Sequence, residues 1–91
     1  MNRPRLQRKL NFFPNVTFYK PQGVPLHDLK ILEISHEEWE ALRLKHLEKL
    51  EQIEIAEKMQ TSQSTVQRIL ASAHQKIAEA IVNGLAIKIV K

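Results

Sequence analysis

A chain of 91 residues, 43% hydrophobic and 26% charged, is about one small domain, with room for a single modest core and little for an elaborate active-site cleft. No apolar run nears the roughly 20 residues of a membrane span, no apolar leader follows the basic start, and no cysteine is present for disulfides or thiolate metal sites. These features disfavour an enzyme, a membrane protein and a secreted protein, and a cytoplasmic location without a cofactor is the expectation.

The net charge of +4 is unevenly spread. Residues 1–30 carry six Lys/Arg against one acid, residues 31–62 four against eight, and residues 63–91 four against one. Two basic ends thus flank an acidic middle, the pattern of a chain whose arm and second half face phosphates while its other helices face solvent or a partner.

Residues 1–11, with Arg3, Arg5, Arg8 and Lys9 around Pro4, have neither helical nor strand period and read as a flexible basic arm before a single domain at 12–91. From Phe12 to Pro25, aromatics, prolines and Gly23 concentrate in an irregular segment expected to pack on helices, with a short strand within Val16 to Lys20. Leu29 to Ile34 fits either an extended segment or a helical turn. Ser35-His36-Glu37-Glu38 is a capping box, so a helix is expected over about 36–48, burying Trp39, Ala41, Leu42, Leu47 and Leu50. Glu37, Glu38 and Glu40 read as charges favoured by the start of that helix.

Gln52 to Ile69 reads as a helix-turn-helix, with helices over about 51–59 and 63–82. Ala56 falls where two helices must approach closely, and Ile55, Met59, Val66 and Ile69 fall where the unit needs a shared core. Ser62 is a good N-cap for the third helix, whose apolar positions run through Leu70, Ala73, Ile77, Ala80 and Ile81 to a stop at Asn83-Gly84. The last segment, about 86–90, is β-prone and has two candidate partners, a strand from the N-terminal half or the same segment of a second molecule.

The first turn of the third helix carries Gln63, Ser64 and Thr65, followed outward by Gln67 and Arg68. Gln can bond bidentately to adenine, Arg to guanine, and Ser or Thr to phosphates or base edges. Arginines of the arm can enter a minor groove beside such a helix; the alternatives are a solvated helix face and a solubilising tail. His27, His36, His46 and His74 are scattered without metal-ligand spacing, and no nucleophile with a positioned base or Gly-rich phosphate loop is visible.

From Arg3-Pro4-Arg5, through Val16-Thr17-Phe18-Tyr19-Lys20-Pro21, Gly23-Val24-Pro25-Leu26, Glu40-Ala41-Leu42-Arg43-Leu44, Ala56-Glu57-Lys58-Met59 and Ser64-Thr65-Val66-Gln67-Arg68-Ile69, to Val82-Asn83-Gly84, the chain resembles domain-of-unknown-function family 134. That family comprises small predicted DNA-binding proteins of bacteria and archaea. The trihelical part also looks like region 4 of bacterial sigma factors.

The resemblance implies a mainly α fold, a trihelical helix-turn-helix with an irregular N-terminal segment and short β elements, and a transcriptional regulator. The family usually carries Gly where Gln60 stands, which implies a left-handed Gln60 at a cost of about 1 kcal/mol. Glu51 replaces a Ser-like cap, and Gln63 stands where Arg is frequent, so a shared target sequence is not implied.

The expected function is sequence-specific binding of double-stranded DNA by a homodimer reading a palindromic site. The alternative is a protein-interaction module that contacts RNA polymerase or another regulator, favoured by the acidic middle.

Overall fold

The computed structural model describes residues 12–91, and the expected basic arm lies outside them. After the irregular Phe12–Pro25 segment come a short strand, β1 (Phe18–Tyr19), a 3₁₀ turn at Leu26–Asp28, and β2 (Ile31–Ser35). The helices are α1 (His36–Leu42), α2 (Gln52–Met59) and α3 (Gln63–Asn83), and β3 (Ala86–Val90) follows. The fold is therefore mainly helical with a small sheet, and the ambiguous 29–34 run is extended.

Strand order is β1-β3-β2, with β3 antiparallel to β1 and parallel to β2. The partners of β3 thus come from the N-terminal half of the same chain. Both its edges are occupied, which removes strand pairing between two molecules through this segment. Helices α1 and α3 pack against the sheet, and Ile34, Ala86 and Ile89 are buried there.

Ser35 converts strand into helix. Its hydroxyl accepts the Glu38 N–H at 3.1 Å and its own N–H donates to Glu38 Oε1 at 2.8 Å, completing the capping box. The same carboxylate reaches α3, accepting from Ser72 Oγ at 2.6 Å and from Lys76 Nζ at 3.0 Å. Burial acts to raise the Glu38 pKa, but the hydroxyl, the backbone N–H and the ammonium outweigh it and hold the carboxyl below its usual 4.5.

A folded-state pKa below the unfolded one contributes stability above the ordinary glutamate range, and that contribution disappears as pH falls through the folded value. Glu38→Gln is therefore expected to cost about 2–3 kcal/mol at neutral pH. The gap to wild type should narrow in acid, as measured by urea denaturation across pH.

The expected 36–48 helix is α-helical only to Leu42 and then widens into a π-helical turn at Arg43–Leu47. Its signature is the Glu48 N–H bonded to the Arg43 carbonyl, five residues back, at 3.1 Å. The widening turns Leu47 off the predicted apolar stripe, and it is 77% exposed. Trp39, Leu42 and Leu50 are half-buried, whereas Ala41 and Leu44 form the interior.

Glu40, read from the sequence as a helix-start charge, is buried and bonded twice to Arg43, at 3.0 Å from Nε and 3.0 Å from the terminal nitrogen. The π turn brings Glu48 to the same guanidinium at 3.1 Å. Arg43 also lies 3.8 Å above the Phe12 ring centroid, so it fastens the N-terminal segment onto the helices.

Ala41, Leu44, Ile55, Ala56, Met59, Val66 and Leu70 make one buried cluster, with Leu42, Leu50 and Ile69 packed against it. Ile81 was expected in this face but is 73% exposed. The buried line near the end of α3 runs through Ala73 and Ala80 instead. With 21 residues, α3 is much longer than α1 or α2.

Candidate nucleic-acid interface

The start of α3 is set by what precedes it. Glu51 is extended, and its N–H donates to Glu54 Oε1 at 2.9 Å, so Glu54 closes the start of α2 although no Ser stands at the cap. Ile55, Ala56 and Met59 lie on one buried face at helical spacing, leaving Glu54, Glu57 and Lys58 exposed.

At the far end Gln60 adopts φ 56 and ψ 52, the left-handed conformation expected there. Its N–H bonds the Glu57 carbonyl at 3.2 Å and the Thr61 N–H bonds that of Ala56 at 3.0 Å, a Schellman closure. Because glycine adopts this conformation without a Cβ clash, Gln60→Gly should raise stability by up to about 1 kcal/mol. Gln60→Val should lower it, and chemical denaturation of both variants tests the pair.

Ser62 then caps α3 and accepts the Thr65 N–H at 3.1 Å. Its hydroxyl also donates to Thr65 Oγ1 at 2.8 Å and lies 3.2 Å from Ser64 Oγ. Ser64 and the half-buried Thr65 are thus partly engaged in the cap. Gln63, Gln67 and Arg68 are exposed, and among the described residues no side-chain bond or ion pair holds them. Spacings of four residues, Gln63 to Gln67 and Ser64 to Arg68, place all four on one face of the helix.

An open groove of about 440 Å³ adjoins this face, lined by Lys45, Glu51, Gln52, Ile53 and Gln63. Lys45 and Gln52 were not singled out from the sequence. Gln52 was legible as the first residue of a helix packed beside the start of another. Lys45 was not, since its placement depends on the π turn.

Arg3, Arg5, Arg8 and Lys9 lie outside the described residues. The point from which their segment leaves is nevertheless fixed: the Phe12 carbonyl accepts from His36 Nε2 at 2.6 Å, and Phe13 stacks near the same ring at 4.7 Å. A small cleft beside Phe12 is lined by Phe12, Glu40, Arg43, Leu44, Glu48 and Lys58. The histidines are not all scattered either, since His46 and His74 meet across the fold.

The sequence model of a protein of unknown function, DUF134, matches residues 1–91. The chain belongs to the DUF134 family. The UPF0251 protein of Pelotomaculum thermopropionicum is 48% identical over 89 residues, covering 98% of this chain and 67% of that protein. That of Halothermothrix orenii is 44% identical over 88 residues, covering 97% and 65%. The UPF0251 protein TTE1845 of Caldanaerobacter subterraneus subsp. tengcongensis is 51% identical over 89 residues, covering 98% and 75%.

The chain therefore spans about two thirds of the length of the first two of these relatives. No solved structure matches it. The DUF134 match takes in the basic N-terminal residues as well as the aromatic segment, the helices and β3.

Proposed function

We propose that this DUF134 chain is a sequence-specific double-stranded DNA-binding protein and transcriptional regulator that acts by binding, not catalysis. The α2–α3 pair serves as a helix-turn-helix that sets the start of α3 into the major groove. The observation that carries this reading is the stripe of Gln63, Gln67 and Arg68, exposed and unbonded among the described residues.

That stripe sits on a helix whose adjoining face is locked by Val66 and Leu70 in the core. Such a helix presents hydrogen-bonding groups without having to break existing bonds first, and a groove about 12 Å wide admits it. Ser64, Thr65, Lys45 and Gln52 lie where phosphate oxygens would flank the helix. Glu51 in the groove sets a limit on how closely a phosphate approaches there.

Arg3, Arg5, Arg8 and Lys9 supply a second contact. Eleven residues reach at most about 37 Å from Phe12, a span long enough for an adjacent minor groove. Two copies would place their α3 helices about 34 Å apart on a palindromic site. Exposed Ile81 and Val82 on α3 are the apolar residues available for such pairing.

Affinity for duplex DNA is expected to fall steeply as salt rises, since counterion release dominates. Replacing Arg3, Arg5 and Arg8 by alanine should weaken binding to every sequence alike. Selection from random duplexes should enrich one motif, and a selection that enriches none removes the sequence-specific reading.

A second reading is a contact module for RNA polymerase or another regulator. It is favoured by Glu51, Glu54 and Glu57, all exposed along α2. Glu57→Lys should weaken such a contact, whereas it would strengthen nonspecific DNA binding.

A further inference from the structure

We propose that His46 and His74 form a binding site for a divalent first-row transition metal ion of the zinc or nickel class. The two Nε2 atoms lie 2.8 Å apart, with the rings 5.0 Å between centroids and 61° between planes. Both residues are exposed, and they come from different elements, the π turn and α3.

As a hydrogen bond this contact uses one N–H and one lone pair, and in water such a bond contributes only about 1 kcal/mol. As a donor set it is worth more. Moving the donating ring's proton from Nε2 to Nδ1 leaves two imidazole lone pairs facing one point, and imidazole is a ligand that suits zinc and nickel. Zinc–nitrogen bonds of about 2.0–2.1 Å in tetrahedral geometry need the two nitrogens about 3.3 Å apart. The required opening is about half an ångström, within reach of small rotations of two exposed side chains.

The π turn is an independent pointer, because single π turns within helices occur frequently at functional sites. The positive charge nearest in chain on the same groove, Arg43, is already compensated by Glu40 and Glu48. It therefore opposes a cation less than a lone guanidinium would.

Among the described residues no third His, Cys, Asp or Glu joins the pair. Water completes the coordination, as in open sites and unlike closed structural ones. A bound ion would tie the π turn to α3 and add to folding stability by mass action.

The test titrates zinc chloride, nickel chloride and magnesium chloride into the full chain, followed by calorimetry and thermal unfolding. Zinc and nickel should bind and raise Tm, and magnesium should do neither. His46→Gln and His74→Gln should each weaken zinc binding by about tenfold or more, at least the loss seen when an outer-shell partner of a ligand is removed.

His27→Gln should bind zinc as the wild type does. In the wild-type protein, zinc should shift the side-chain ¹⁵N signals of His46 and His74 together, a readout independent of how the variants fold. Absence of zinc binding at millimolar concentration overturns the proposal. So does unchanged affinity in both glutamine variants, or zinc shifts confined to His27 or His36.

Discussion

Arg43→Ala is expected to destabilise the protein by about 3–5 kcal/mol, the typical result of breaking a buried ion pair from one side. The reason lies in Glu40, whose side chain is 2% exposed and accepts both of its oxygen contacts from Arg43 at 3.0 Å. Without the guanidinium a buried carboxylate must either stay charged without a partner or take up a proton. The variant also loses the link to Glu48 and the stacking on Phe12, which loosens the π turn and the N-terminal segment together.

Arg43→Lys should recover little of this, because an ammonium is a point charge without the fork that meets both oxygens. The double variant Glu40→Leu with Arg43→Met should lie near wild type, since replacing a buried pair by apolar residues of similar size is often neutral or better. Urea denaturation of the four proteins gives the comparison. A loss below about 1 kcal/mol for Arg43→Ala would mean that Glu40 reaches water.

Replacing Gln67 and Arg68 together by alanine is expected to reduce affinity for the selected duplex by about a hundredfold or more. Each good bidentate base contact contributes roughly 1–3 kcal/mol of discrimination, and 1.4 kcal/mol is a factor of ten. Binding to unrelated duplexes should change much less, limited to the electrostatic share of Arg68.

Folding should be unaffected, because both side chains are exposed and make no bond among the described residues. Competition binding with selected and scrambled duplexes measures the ratio. An equal loss on both would assign the residues to phosphates and leave base reading to Gln63 and Ser64.

Local signals in the sequence foretold the helices well, because caps act within three or four residues of where they stand. Ser35 with Glu38, Ser62 with Thr65, and Gly84 at φ 66 each act at the predicted boundary. The left-handed Gln60 was legible through the glycine usual at that place in the family. The π turn was not legible, since one extra residue in a turn hardly disturbs the apolar spacing of Trp39, Leu42 and Leu50.

Arg43 and Glu40 look like any surface pair three residues apart, and their burial depends on Phe12 and Leu44 around them. His46 and His74 are 28 residues apart, so only the packing of α1 on α3 makes them neighbours. The stripe at residues 63–68 could be read from cap and period together, while Lys45 across the groove required the tertiary structure.

The middle place of β3 bears on the order in which the molecule folds. Among the described residues, strands β1 and β2 have no pairing with each other, and each pairs with β3, more than fifty residues further along the chain for β2 and nearly seventy for β1. Closing loops of that length costs entropy before any ladder forms. The helices, whose contacts are more local, are therefore expected to gather first. During synthesis the two early strands must wait, unzipped, until Ala86 to Val90 has left the ribosome and slides between them.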